Sequence, residues 1–170
     1  MELVEGVVEV GGERFPEVGA FVDALDTIGA EHGVTVQAFD ARYVVSRRHL
    51  ERAVELADRE RRRGDGIARD RGVEILLYAA GRRQINRALE MGVDEGVTPA
   101  VVLVDGNGDG DEPSAADAVR ALCSPAETLG AYEEARVREF FDVGDAELAA
   151  TDAGLEALVE ERVALLVVER

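Results

Sequence analysis

The sequence predicts an α/β fold in a single domain, 1–170: a mixed sheet of about four strands covered by helices, with a helical C-terminal part. Three observations carry this reading. Short β-branched or apolar runs alternate with segments whose apolar residues recur at helical spacing. A length of 170 residues fits one domain. From Ser114 onward the chain reads as helix after helix.

Leu3 to Val10 alternates apolar and acidic residues and stops at Gly11-Gly12, a strand and its turn. Val18, Phe21, Val22, Leu25 and Ile28 mark an amphipathic helix, with Pro16 at its start and Gly33 past its end. Val34 to Phe39 is a second strand. Ser46 offers a cap to a helix on which Leu50, Ala53, Val54 and Ala57 share a face, and which runs into Arg61-Arg62-Arg63-Gly64. Val73 to Ala79 is a nearly continuous apolar run, broken only by Glu74, between Gly72 and Gly81; periodicity does not separate strand from helix, and its short length favours a third, buried strand. Ile85, Ala88, Leu89 and Gly92 give a short helix, and Ala100 to Val104 a fourth strand. Helices follow over Ser114–Leu122, Tyr132–Phe141, Asp145–Ala150 and Leu155–Val168.

The chain carries 36 acids, 19 basic residues that are all arginine, and a net charge of −17. Acid excess keeps a surface hydrated when water activity is low. This points to a cytoplasm at molar salt, archaeal; an acidic protein from a GC-rich genome is the alternative. The charge is uneven. Arg42 to Arg87 holds 13 arginines against 7 acids, and the remainder 6 against 29. A positive segment in so negative a chain suggests an anionic partner, although Arg–Glu pairing along a helix accounts for part of it. No apolar run reaches the ~20 residues of a membrane span. One cysteine, Cys123, excludes an internal disulfide framework, and two histidines make a zinc site improbable. No cofactor, no metal and a cytoplasmic location are expected.

Candidate sites are few. Asp105-Gly106-Asn107-Gly108-Asp109-Gly110 matches half of a calcium loop, but its twelfth position is Ala116 where a bidentate Glu is required. No nucleophile stands beside a base, so catalysis has no support. The best local candidate is Ala80-Gly81-Arg82-Arg83-Gln84-Ile85, which sets glycine and two guanidiniums at a helix start, where free N–H groups can hold phosphate. Arginine adds bidentate phosphate contacts or stacking on a base.

Val36-Gln37-Ala38-Phe39-Asp40-Ala41, Ser46-Arg47-Arg48-His49-Leu50 through Ala53, and Glu74-Ile75-Leu76-Leu77-Tyr78-Ala79-Ala80-Gly81-Arg82-Arg83-Gln84-Ile85 together resemble the small non-catalytic KEOPS subunits of the CGI/TPRKB family. The clear resemblance spans residues 36–92. It implies a role and not a reaction. KEOPS installs threonylcarbamoyl on the adenosine beside the anticodon of ANN-decoding tRNAs. This subunit binds the small PRPK-type kinase/ATPase of the complex and, in archaeal members, captures the single-stranded 3′ CCA end of tRNA. Carried over by motif, His49, Tyr78, Gly81, Arg83, Gln84 and Ile85 lie at or support that site. Arg82, at the motif's variable position, is added for its charge, and Arg87 completes the set. Glu74 opens the third strand and is structural in the alternative. For the kinase contact the resemblance favours the last helix, whose stripe of Leu155, Leu158, Val159, Leu165 and Leu166 is either an interface or core. Two other classes stay open: a small α/β enzyme or nucleotide-binding protein, and a purely structural adaptor without RNA binding.

Overall fold

The computed structural model describes residues 1–168. The chain gathers into two compact units, Met1–Ala41 with Gly92–Leu129, and Arg42–Met91 with the chain from Gly130 onward. Four strands are present among the described residues: β1 (Glu2–Val10), β2 (Thr35–Asp40), β3 (Gly96–Asp105) and β4 (Ser124–Pro125). The helices are α1 (Val18–His32), α2 (Arg47–Arg62), α3 (Arg71–Ala80), α4 (Ile85–Ala88), α5 (Glu112–Arg120), α6 (Glu134–Phe140), α7 (Asp145–Ala150) and α8 (Gly154–Leu165).

All four strands belong to the first unit, in the order β2-β3-β1-β4. β1 pairs with β3 from Glu2↔Val104 to Val10↔Gly96, and β2 with β3 from Thr35↔Asp105 to Asp40↔Ala100. β4 touches β1 only at Gly6 and Val7. The α/β class with four strands is as expected. The strand directions have one feature the sequence did not suggest. β1 and β2 run parallel to each other across the α1 crossover, but β3 lies between them, so every bonded pair is antiparallel. Val4, Val8, Val10, Val36, Ala38, Ala100, Val102 and Val104 form one apolar core with Phe21, Leu25 and Ile28 of α1 and Ala115, Ala116 and Val119 of α5. Period-two alternation on the strands and a 3.6-residue stripe on each helix supply its two layers. Beside it, the acidic loop after β3 folds on itself. Asp111 caps α5 by accepting from the Ser114 N–H at 3.1 Å, and Glu112 accepts from the Gly106 N–H at 2.9 Å.

The second unit is helical. Ser46 caps α2 as its sequence suggests, accepting from the His49 N–H at 3.1 Å. The run Val73–Ala79, expected as a third strand, is the body of α3. Residues Glu74 to Ala80 are all buried, and a helix that is apolar all round shows no period to read. Its ends carried the missing signal: Asp70 accepts from the Val73 N–H at 2.9 Å, and Gly81 stops the helix in the left-handed region at φ 62. The fourth strand of the sheet is instead the two-residue β4. α2 and α3 form an antiparallel pair. The first turn of α2 meets the last turn of α3 through His49 and Ala79, and its last turns meet the start of α3 through Asp58 and Arg71. α8 packs on both.

Candidate functional site

The segment after α3 presents most of the residues singled out by the sequence. Gly81 turns the chain: its N–H bonds the Tyr78 carbonyl at 3.1 Å, and the Arg82 N–H bonds the Leu77 carbonyl at 3.0 Å. A Cβ at Gly81 would stand 3.2 Å from the Arg162 carbonyl oxygen of α8, in a backbone conformation that L side chains rarely adopt. From there Arg83, Gln84, Ile85, Asn86 and Arg87 are all exposed. Arg83 meets no carboxylate among the described residues, whereas Arg87 pairs with Glu90 at 3.1 Å.

Arg82 does not join them. Its guanidinium bonds the Phe140 carbonyl and lies over the Phe140 ring, 5.2 Å from the centroid, so it serves the packing of α6. The phosphate-holding helix start expected here does not form. α4 has only four residues, and no side chain caps it. So short a helix sums too few peptide dipoles to hold an anion. Any anion contact here rests on side chains.

His49 is fully buried. Its Nδ1 accepts from the Val45 N–H at 3.3 Å, which leaves Nε2–H to donate to the Ala79 carbonyl at 2.8 Å. Burial pushes its pKa down to about 4, so the ring is neutral and clamps α2 to α3. Tyr78 is equally buried; burial first, then the nearby Glu74 carboxylate, holds its hydroxyl above the ordinary tyrosine range, while Arg83 and Arg59 oppose. His49 and Tyr78 therefore support the exposed segment from behind and do not reach solvent. Glu74, also buried, lies in the first turn of α3 and not on a strand. Its carboxylate accepts from the Ile67 N–H at 2.9 and 3.0 Å and from the Ala68 N–H at 2.5 Å, pinning the α2–α3 loop.

The expected partner face on α8 is mostly interior. Leu155, Leu158, Val159 and Leu166 are buried against the chain's own helices, and only Leu165 keeps part of its surface. Of the two readings the stripe allows, interface or core, these four residues take the second, covered by α2 and α3. Past it, Val168 is 76% exposed. A second apolar exposure joins Ile85, at 48%, to a residue that sequence reasoning did not single out, Leu89, at 55% and one turn on. Their i, i+4 spacing around the buried Ala88 is the signal in the sequence that pairs them.

Among the described residues, no three His, Cys, Asp or Glu side chains are placed to hold a metal, and no helix is long and apolar enough to cross a membrane. A family model described as kinase binding protein CGI-121 matches residues 23–166. No curated protein matches the chain.

Proposed function

Since the chain belongs to the CGI-121 family of kinase-binding proteins, we propose that it is the small, non-catalytic subunit of a KEOPS tRNA-modification complex. It docks a PRPK-type kinase/ATPase and captures the single-stranded 3′ CCA end of tRNA. The observation that carries this reading is the family match over residues 23–166. The tRNA half draws support from the exposed run Arg83-Gln84-Ile85-Asn86-Arg87, which combines a guanidinium that meets no carboxylate among the described residues, a second paired with Glu90, two amides and an apolar side chain. Unstacked bases of a single strand are recognised by such a mixture, through stacking, packing and edge hydrogen bonds. For the kinase contact, Leu165 with Val168 replaces the buried part of the α8 stripe.

A gel shift with intact and CCA-trimmed tRNA tests the first half. Intact tRNA is expected to bind and trimmed tRNA to bind far less; equal binding of both removes the 3′-end reading. For the second half, Leu165→Glu should abolish binding to the kinase while circular dichroism shows the fold intact. A buried interface core is poor in charge, and an unpaired carboxylate there costs several kcal/mol. Wild-type affinity in the folded variant moves the contact elsewhere.

A further inference from the structure

The α2–α3 connection holds the densest positive charge in the chain. Six arginines fall between Arg59 and Arg71. The fold engages several of them. Arg71 pairs with Asp58 through two bonds of 2.8 Å, and Arg59 reaches Glu60 at 3.1 Å. Arg61 donates to the carbonyls of Ala68 at 3.1 Å and Arg69 at 3.0 Å. Arg63 approaches the same Glu60 at 3.6 Å and must share it. Arg62 and Arg69 are exposed and meet no carboxylate among the described residues. Favourable placement at a helix C-terminus accounts for Arg62. It does not account for Arg69, which lies in the loop.

The loop is a fixed platform. The buried Glu74 carboxylate holds the N–H groups of Ile67 and Ala68, and Arg61 holds two carbonyls of the same loop. A rigid backbone that displays unmatched guanidiniums loses little entropy on meeting an anion. Arg83 lies past the other end of α3, about 15 Å along the helix axis from the loop. Apart from arginine, the loop's side chains are Gly, Asp, Ile and Ala, and Asp70 is committed to capping α3. Such a set grips phosphates and reads no base.

We propose that Arg62, Arg63 and Arg69 form a second RNA contact, which holds phosphates of the double-stranded stem that carries the single-stranded 3′ end. The proposal rests on the tRNA reading above. A-form duplexes are recognised chiefly through backbone and shape, which suits arginines on a fixed loop.

The test uses the full chain and two RNA probes: a hairpin ending in an unpaired CCA, and a short single strand of the same 3′ sequence. Fluorescence anisotropy is followed across a potassium chloride series, with circular dichroism on every protein. Wild type should bind the hairpin more tightly and with the steeper salt dependence. Arg62→Ala with Arg69→Ala should weaken hairpin binding several-fold and flatten its salt slope by about 1–2, near 0.9 per lost phosphate contact, with single-strand binding unchanged. Arg62→Lys with Arg69→Lys should restore most of the slope. Unchanged hairpin affinity and slope in the Ala variant overturn the proposal, and so does an equal loss on the single strand. Loss of kinase binding with hairpin affinity intact assigns the loop to the protein partner and also overturns it. If wild type binds neither probe, the tRNA reading itself falls and takes this contact with it; if wild type binds and the variant matches it, only this contact falls.

Discussion

The sheet unit carries 2 arginines against 17 acidic residues, and the helical unit carries 17 against 19. The two are held by different means. In the sheet unit the core is apolar, and the strands are joined by main-chain ladders from Glu2↔Val104 to Val10↔Gly96. In the helical unit arginines act as struts. Arg61, Arg82 and Arg162 bond backbone carbonyls, and Arg71 closes a two-bond pair on Asp58. Along α2, Arg47, Arg48 and Arg52 pair with Glu51 and Glu55. A local excess of arginine thus measures how much of a fold is built from guanidiniums before it measures affinity for an anion. Of the positive segment, Arg62, Arg69 and Arg83 meet no carboxylate among the described residues, and Arg63 and Arg87 are exposed beside a single one each.

Breaking the Asp58–Arg71 pair should have the largest effect. Asp58→Ala leaves a guanidinium of low exposure without its carboxylate, at a cost of about 3–5 kcal/mol in urea unfolding. Asp58→Leu with Arg71→Met should recover most of that loss. A single-variant cost below about 1 kcal/mol would mean that the helical unit, like the sheet unit, is held mainly by apolar packing.

Acidification comes next. The His49 pKa is lowered on folding, so the unfolded chain binds the proton more readily. The contribution is complete above about pH 6.5 and is lost as pH falls towards 4, worth up to about 3 kcal/mol. His49→Gln, which keeps a donor for the Ala79 carbonyl, should flatten the stability profile between those values. An unchanged profile would place the acid sensitivity elsewhere.

Salt should act on the other unit. As potassium chloride drops to low millimolar, self-repulsion among 17 acids grows while short ion pairs strengthen. Hydrogen exchange should then show β1 and β3 losing protection before α2 and α3. Simultaneous loss, or a melting temperature that rises as salt is removed, would deny the contrast. Smallest of all, Arg83→Ala with Gln84→Ala should cost under ~0.5 kcal/mol of stability, because both side chains are exposed, while tRNA binding weakens. Unaltered tRNA affinity would take the segment out of the functional site.

The sheet unit was legible because alternation and stripes report burial on one face. β1, α1 and the start of β2 carry that pattern, while Ala100–Val104, buried on both faces, is marked instead by its short β-branched run. α3 was not, since burial on every side erases the period, and only Asp70 and Gly81 marked it as a helix. The candidate site was half legible. Arg83, Gln84, Ile85 and Arg87 are exposed as a binding segment must be. The part played by Arg82 was hidden, because its partner Phe140 lies far along the chain. For the same reason the stripe of Leu155, Leu158, Val159 and Leu166 could not be divided between core and interface, as nothing in a helix's own pattern says what covers it.

The strand order also sets a timetable for synthesis. Val10 at the end of β1 pairs with Gly96, so β1 must wait for the whole stretch up to β3 before it has that neighbour. The α2–α3 pair is closed by residues that leave the ribosome together, and Gly81 ends it before β3 exists. A waiting strand with bare edges invites pairing with other chains. β1 spends that interval with Glu2, Glu5 and Glu9 spaced along it, and their mutual repulsion between nascent copies keeps the edge open for its own partner.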